Sequence, residues 1–364
     1  MANDSPDVFS PDHVPPPGDT ILELLEEQEM TQTEVARRLG VSLKHLHQVV
    51  KGRASVSAEL ALGLERVFSV SAEFWLTREA NYRAHEARIS EAPDLEKAVA
   101  WAERFPLREL ERRGFIPRGA KGEVLVASVL KFLGIAGPRQ WESPAVAYRK
   151  SEKFQSDEYA LSAWLRLGET KAREIACEPF DADRFRASLQ EARNLTREVP
   201  EQWEDALVEL CAGAGVAVVI VEHFKEAKVN GATRWLTPSK ALIQLSIRYR
   251  WEDVFWFTFF HEAGHVLLHQ KKELFVEPEK LPAAESVEPR LLGLEEEANR
   301  FAGQVLIPPE FESRLPNLSV AQVPAFAEML GISPAVVVGR LQHEKYLPYN
   351  QGNRLRRRLK FAED

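Results

Sequence analysis

The chain has 364 residues, of which 45% are apolar and 28% are charged, which is enough material for the buried cores of two or three domains. This balance excludes the collagen-like, low-complexity and wholly disordered classes. The 47 basic and 55 acidic side chains give a net charge of −8, so any binding to nucleic acid depends on a local basic patch. Two cysteines, Cys177 and Cys211, predict neither a disulfide framework nor a zinc finger and indicate a reduced, cytoplasmic protein. No apolar run approaches the ~20 residues of a membrane helix, so no membrane partner is expected.

The first 90 residues predict a lead-in followed by a helical domain. Residues 1–17, with three consecutive prolines and no signal-peptide pattern, are expected to be a disordered lead-in. Residues 18–90 show short helical patterns that begin at polar capping residues. Thr31 and Glu34 form a predicted capping box, and the helix that they open is expected to stop at Gly40. A second short helix follows at once, which gives the helix-turn-helix spacing of many DNA-binding domains.

The remainder of the chain changes character near residue 196. Residues 91–195 continue the helical pattern without recognisable chemistry and are assigned to a helical middle region. Beyond it, three short apolar runs predict a small antiparallel sheet. The predicted fold class is therefore mainly α with a small β-sheet, that is α+β. The predicted strands are 216–221, 231–236 and 241–247, followed by a helix over 251–270, an exposed loop over 271–293 and a helix over 294–306.

The motif His261-Glu262-Ala263-Gly264-His265 lies in the first of these two helices. Histidines four residues apart project from one face of a helix, so both imidazoles can bind one metal ion. Glu262 lies on the adjacent flank, where it can take a proton from water. The helix is apolar almost all round, and buried imidazoles and carboxylates are unfavourable without a partner. The pattern predicts a Zn²⁺ site with His261 and His265 as ligands and Glu262 as general base.

A catalytic zinc site needs a third protein ligand, and three consecutive glutamates begin the next helix. Glu295 lies at the edge of the inward, apolar face of that helix, Glu297 stacks on a different row, and Glu296 lies on the more polar side. Glu295 is the predicted ligand, with Glu297 as the alternative. Asn299 follows one turn after Glu295 and is expected to orient a ligand.

Further motifs surround these residues. They are Leu267-Leu268-His269, Glu295-x-x-Ala298-Asn299-x-Phe301-Ala302, Leu306-Ile307-Pro308 and, upstream, Gly231-Ala232-x-x-Trp235-Leu236. Together with the histidine motif they closely resemble the ImmA/IrrE metallopeptidases over roughly residues 195–345. The resemblance implies a zincin-like metallopeptidase domain over 196–364 with zinc bound by His261, His265 and Glu295 and with Glu262 as the base. It also implies limited cleavage of a repressor or similar regulator rather than general digestion.

The N-terminal helices also resemble a known group. The segment 19–82, with Ser71-x-x-Phe74-Trp75-Leu76 and Ala80-Asn81-Tyr82, resembles the HigA-like branch of the Cro/cI-type helix-turn-helix proteins. The resemblance implies binding to double-stranded DNA and, by fold analogy, a homodimer. Segment 19–66 holds six basic and eight acidic residues, so a module for dimerisation or partner docking is the alternative. The resemblance implies that Gln32 contacts phosphate and that Lys44, His45, His47 and Gln48 face the major groove.

Several expectations near the metal motif rest on position alone. His269, one turn after His265, is expected either to contact the substrate or oxyanion or to be an ordinary polar helix end. Arg248 and Tyr249 are candidate oxyanion stabilisers. The strand over 241–247 is a candidate for pairing with an extended peptide. The basic tail 354–360 is expected to be a solvated charged helix, with phosphate contacts as the alternative.

Two functions are consistent with these patterns. The first is a zinc-dependent endopeptidase that is coupled to a DNA-binding domain and cleaves a protein regulator in a stress or mobile-element response. The second is a DNA-binding repressor or antitoxin-like regulator whose peptidase-like domain is a non-catalytic sensor. The intact His-Glu-x-x-His motif favours the first.

Overall fold

The computed structural model describes residues 14–141, 157–269, 275–278 and 289–360, and the chain divides into two compact units, Met1–Val99 and Ala100–Asp364. Nearly all of the expected lead-in, residues 1–13, lies outside the described residues. No described helix is both long enough and apolar enough to cross a bilayer. The first unit contains α1 (Pro17–Glu27), α2 (Gln32–Leu39), α3 (Leu43–Val50), α4 (Ala58–Phe68) and α5 (Ala72–Lys97).

Side-chain caps fix where α2, α3, α4 and α5 of the first unit begin. The Thr31 hydroxyl accepts a hydrogen bond from the Glu34 amide at 3.2 Å, and Ser42 opens α3 in the same way. The predicted capping box is only half present, because the Glu34 carboxylate accepts a hydrogen bond from Arg38 Nε at 3.0 Å. Gly40 ends α2 at φ 70°, a conformation that favours glycine. The core between these helices consists of buried aliphatic side chains together with Phe68 and Trp75.

The second unit surrounds a small sheet with helices. The helices that precede the sheet in the chain are α6 (Val99–Ala102), α7 (Leu107–Arg112), α8 (Gly122–Leu133), α9 (Glu158–Glu174), α10 (Ala182–Leu195) and α11 (Pro200–Ala212). The strands are β1 (Val216–Ile220), β2 (Val229–Thr237), β3 (Lys240–Leu245) and β4 (Phe275–Pro278). The remaining helices are α12 (Glu252–Leu268), α13 (Pro289–Leu306), α14 (Pro309–Glu312), α15 (Val323–Leu330) and α16 (Pro334–His343). The prediction of a mainly α fold with a small sheet is confirmed.

The sheet differs from the predicted antiparallel arrangement. Its order is β1-β3-β2-β4, and β1 runs parallel to β3 while the β2–β3 and β2–β4 pairs are antiparallel. The short connection after β2 makes a hairpin with β3, and β1 joins the far side of that hairpin, where α9 and α11 cover it. Because β3 pairs on both sides, the expectation that it accepts a substrate peptide is wrong.

The segment predicted to be one long exposed loop, 271–293, contains regular structure at two places. Strand β4 pairs with β2, so Ala232 lies opposite Val276, and α13 already begins at Pro289. The rest of that segment lies outside the described residues. A four-residue strand between proline- and glutamate-rich stretches is too short to give a clear alternating pattern, which explains why the sequence did not reveal it.

Helices α12 and α13 pack against each other in opposite directions, and α12 also packs on β2, β3 and α16. Gly264 allows the close approach, because a Cβ there would lie 3.2 Å from both Ala298 Cα and Phe301 Cδ1. The two helices therefore place their polar residues across a narrow seam. That seam contains the two motifs identified in the sequence.

The basic tail is not a solvated helix. After a short 3₁₀ turn at Asn353–Leu355, Arg356 makes a two-pronged ion pair with Asp253, with both contacts at 2.8 Å. Arg357 pairs with Glu252 at 2.6 Å. Asp253 and Glu252 are buried in the first turn of α12, where their negative charge is favoured by the helix dipole but requires a cation once water is excluded. The tail therefore anchors the start of the helix that carries the histidine motif.

Candidate metal centre

Three side chains from α12 and α13 converge on one point. His261 Nε2 lies 3.2 Å from Glu295 Oε2, His265 Nε2 lies 3.6 Å from Glu295 Oε1, and the two Nε2 atoms are 3.0 Å apart. Ligands about 2.0–2.1 Å from a tetrahedral zinc ion are separated by about 3.3 Å, so these donor atoms have the spacing of a zinc site. Among the described residues this is the one group of histidine, cysteine, aspartate and glutamate side chains arranged to hold a metal ion.

The Nδ1 atoms of both imidazoles, which point away from the cluster, each lie within hydrogen-bonding distance of a partner. His261 Nδ1 lies 2.9 Å from Asn299 Oδ1, an acceptor, so that nitrogen carries the proton and Nε2 presents its lone pair to the centre. His265 Nδ1 lies 2.8 Å from His269 Nδ1. Asn299 thus lies where the sequence placed a residue that orients a ligand. Two lone pairs and a carboxylate facing one another at this distance repel, which favours a bound cation.

The charge states of the cluster suit a metal ion. Burial lowers the pKa of His265 to about 4, so this imidazole is neutral near pH 7. Burial by itself raises the pKa of Glu295, but the close contacts with the His261 and His265 rings outweigh it and lower the pKa to about 2. A neutral imidazole and an ionised carboxylate are the forms that bind zinc. The residues present therefore fit a zinc ion.

Glu262 follows the candidate ligand His261 in the chain and packs against strand β2. It is fully buried, and its backbone carbonyl accepts a hydrogen bond from the Thr233 hydroxyl of β2 at 3.1 Å. A Cβ at Gly231 of β2 would lie 2.6 Å from Glu262 Oε1, so this glycine leaves the space that the carboxylate occupies. The sequence contained Gly231 within a family-like motif, but its contact with Glu262 required the tertiary structure.

Glu297, the alternative third ligand, contacts a different residue. Its Oε2 lies 3.3 Å from His269 Nε2, and the His269 side chain is only 1% exposed. His269 caps the C-terminal end of α12, as a polar helix-end residue would, and its side chain is buried between His265 and Glu297. The ring of Phe275, in β4, stacks on His265 with centroids 4.0 Å apart. Phe275 had not been singled out, because it lies in the segment predicted to be a loop.

The other sequence-predicted site residues lie near the end of β3. Arg248 places its guanidinium 5.4 Å from the centroid of the exposed Tyr249 ring. Arg248 also contributes to lowering the pKa of His223, after the larger effect of burial. Their action on an oxyanion stays a prediction.

An apolar cavity continues the seam between α12 and α13 beyond the histidines. It has a volume of about 160 Å³, and α16 closes it on the third side. The ring of Phe257 separates this cavity from His261, at a centroid distance of 6.4 Å. The lining includes Val254, Leu306, Ile307 and Val336.

In the first unit, the predicted DNA-contacting residues lie at the start of α2 and along α3. Lys44, His47 and Gln48 are exposed on α3, whereas His45 is half-buried. Gln32 is the first residue of α2 and is also half-buried. The buried side of α3 is formed by Leu46, Val49 and Val50, so the polar residues face away from the core of this unit.

Comparisons with known proteins identify both regions. The profile of the helix-turn-helix family matches residues 21–75, and that of the IrrE N-terminal-like domain, peptidase family M78, matches residues 239–342. None of the curated proteins compared matches the chain.

Each of the similar solved structures covers less than a quarter of this chain and nearly all of its own length. They include the Pseudomonas aeruginosa antitoxin HigA with the higBA promoter, which is 28% identical and covers 23% of this chain and 94% of that chain with a TM-score of 0.22. An addiction module antidote protein of a HigA family from Coxiella burnetii is 27% identical and covers 23% and 91%, with a TM-score of 0.21. A Pseudomonas aeruginosa protein in complex with its 28-bp operator DNA is 26% identical and covers 24% and 98%, with a TM-score of 0.22. The chain thus has an N-terminal helix-turn-helix domain, and its residues 239–342 match the family model of the IrrE N-terminal-like domain.

Proposed function

We propose that this protein is a zinc-dependent endopeptidase coupled to a DNA-binding domain, and that it cleaves a repressor or similar regulator in a stress or mobile-element response. The observation that carries the proposal is the convergence of His261, His265 and Glu295 at zinc-like spacing beside the buried carboxylate of Glu262. A group of three protein ligands leaves one coordination position for water or substrate, which is the arrangement of catalytic rather than structural zinc sites.

His261, His265 and Glu295 would hold the zinc ion, which when bound acts as a Lewis acid that polarises a peptide carbonyl and makes water acidic enough to attack it. Glu262 takes the proton of the attacking water at a carboxylate oxygen and then donates it to the departing amide nitrogen. Gly231 leaves room for that carboxylate, because a Cβ at this position would lie 2.6 Å from Glu262 Oε1. Asn299 holds the His261 ring by accepting a hydrogen bond from Nδ1.

The DNA-binding part of the proposal rests on the first unit. The exposed side chains of Lys44, His47 and Gln48 lie on the second helix of a helix-turn-helix pair, which is the helix that enters the major groove in this class of domain. Gln32 at the start of α2 is placed to contact a phosphate. A two-fold dimer on a palindromic operator is the arrangement expected for such domains.

Metal analysis combined with one substitution tests the peptidase assignment. The purified chain should bind one zinc ion, and His261→Ala should remove it. Glu262→Gln should keep the zinc and lose cleavage, because the amide cannot take up a proton. Glu296→Gln, an exposed neighbour of the ligands with the same change of charge, is the matched control and should behave like the wild type.

The substrate can be found by comparing intact proteins in cells that express the wild type or Glu262→Gln. A regulator that is cut only with the wild type supports the endopeptidase. If target integrity and DNA occupancy are identical in both strains while zinc is bound, the sensor function without turnover is correct instead. A Glu262→Gln protein that still cuts would refute Glu262 as the base.

A further inference from the structure

A chain of hydrogen-bonding groups leads from the zinc ligand His265 through His269 to Glu297 at the surface. The roles proposed so far, zinc ligand and general base, do not explain His269 or Glu297. His265 Nδ1 lies 2.8 Å from His269 Nδ1, and His269 Nε2 lies 3.3 Å from Glu297 Oε2. The His269 side chain is buried, with 1% exposed, whereas 56% of the Glu297 side chain is exposed. A buried histidine with both ring nitrogens in contact with specific partners is an ordered part of the site.

We propose that His269 and Glu297 are positioning residues that hold His265 in the tautomer and orientation required of a zinc ligand. The proposal rests on the metal centre of the proposed function. In this proposal Glu297 is not a zinc ligand, and it acts on the ligand His265 through His269. It also leaves His269 unable to bind substrate directly, since both of its nitrogens are engaged.

The carboxylate at the end of the line sets the direction of every hydrogen bond in it. An ionised carboxylate only accepts, so a neutral His269 ring carries its single proton on Nε2 and donates that hydrogen bond to Glu297. His269 Nδ1 is then unprotonated and accepts a hydrogen bond from the protonated Nδ1 of His265. The remaining nitrogen, His265 Nε2, therefore presents its lone pair towards Glu295 and His261. With the opposite tautomers, His269 Nε2 and the Glu297 carboxylate would be two acceptors in contact, which is unfavourable.

Phe275 of β4 covers both rings. Its centroid lies 4.0 Å from that of His265 at an interplanar angle of 20°, and 5.2 Å from that of His269. An aromatic ring stacked on His265 restricts rotation of the imidazole and excludes water that would compete for the Nδ1 hydrogen bond. His261 is held differently, because Asn299 accepts directly from its Nδ1.

Zinc affinity of the purified full-length chain, measured by competition with a chromophoric chelator, tests this assignment. His269→Leu removes the acceptor and should weaken zinc binding about 10–100-fold, the range typical of lost outer partners of metal-binding histidines. His269→Asn places an oxygen near the position of Nδ1 and should restore affinity to within about fivefold of the wild type. Glu297→Gln should weaken binding only a few-fold, since this carboxylate is largely solvated.

Glu296→Gln is the control, because it removes the same charge from an exposed neighbour on α13. Circular dichroism of each zinc-free variant checks that the fold is kept. Equal affinity of His269→Leu and the wild type would overturn the proposal, as would an Asn variant as weak as the Leu variant, which would indicate packing alone. Absence of zinc binding by the wild type would instead refute the metal centre, and a loss in Glu296→Gln equal to that in Glu297→Gln would reduce the role of Glu297 to general charge.

Discussion

Replacing Gly231 by alanine tests the link between the sheet and the general base. The new Cβ would lie 2.6 Å from Glu262 Oε1, 2.7 Å from Thr258 Cγ2 and 2.9 Å from Glu262 Cγ. Gly231 lies in β2 and has no positive φ, so alanine introduces no backbone strain and is by itself favoured over glycine by about 0.5–1 kcal/mol. The clash is therefore the source of any loss.

The neighbours of this Cβ can relieve the clash only by moving the Glu262 side chain or α12. Overpacking of a closed core costs about 1–3 kcal/mol, so after the gain of about 0.5–1 kcal/mol from removing glycine we expect a net loss of at most about 2.5 kcal/mol in the free energy of unfolding. A shift of about 1 Å in the carboxylate should lower the rate of cleavage by about 100-fold. Zinc affinity should change little, because the three atoms nearest to the new Cβ belong to Glu262 and Thr258 and to none of the three ligands.

The assay combines three measurements on Gly231→Ala: denaturant unfolding, zinc affinity by chelator competition, and cleavage of the regulator identified with Glu262→Gln. Gly213→Ala is the matched control, since a Cβ there makes only ordinary contacts at 3.6 Å. Cleavage at the wild-type rate by Gly231→Ala, with zinc bound, would refute the reasoning that the packing on β2 positions the base. A loss of zinc equal to the loss of cleavage would show that the substitution acts through the ligands.

Three further predictions concern the rest of the chain. Zinc at a hundredfold excess over its dissociation constant should raise the free energy of unfolding of the zinc-free protein by about 2.7 kcal/mol, as measured by calorimetry with and without EDTA; no shift would contradict a folded-state site. Arg356→Ala should cost about 3–5 kcal/mol near pH 7, because it leaves the buried Asp253 charge without its cation, whereas the exposed Arg354→Ala should cost almost nothing. Burial already raises the pKa of Asp253, and losing the guanidinium raises it further. The difference in the free energy of unfolding between Arg356→Ala and the wild type should therefore shrink as the pH falls and the Asp253 carboxyl of the folded protein becomes neutral. Urea unfolding at several pH values measures this difference, and a value that does not change with pH would contradict the prediction. Lys44→Ala should weaken operator binding by about 1–3 kcal/mol in fluorescence anisotropy, with Lys97→Ala as an exposed control on α5, and equal affinities would exclude Lys44 from the interface.

Local patterns predicted the parts of this protein that depend on neighbours in the chain. The i, i+4 spacing of His261 and His265 places both rings on one helical face, and the phase of α13 selected Glu295, whose oxygens lie beside those rings, over Glu297. The polar caps Thr31 and Ser42 fixed the starts of α2 and α3 within one residue, because the capping hydrogen bond spans only three residues.

Contacts between distant segments were decided only by the folded chain. The pairing of β1 with β3, the strand at Phe275 and the docking of Arg356 on Asp253 join residues that are between 25 and 103 positions apart or that lack any periodic pattern. Neither hydropathy nor charge identifies which of many exposed-looking carboxylates a given arginine will reach. Local patterns in the sequence thus predicted the three side chains of the candidate metal centre and the two helices that carry them. The tertiary structure decided what surrounds them, Gly231 beside Glu262 and His269 behind His265, because such packing depends on how sheet and helices fit together in three dimensions.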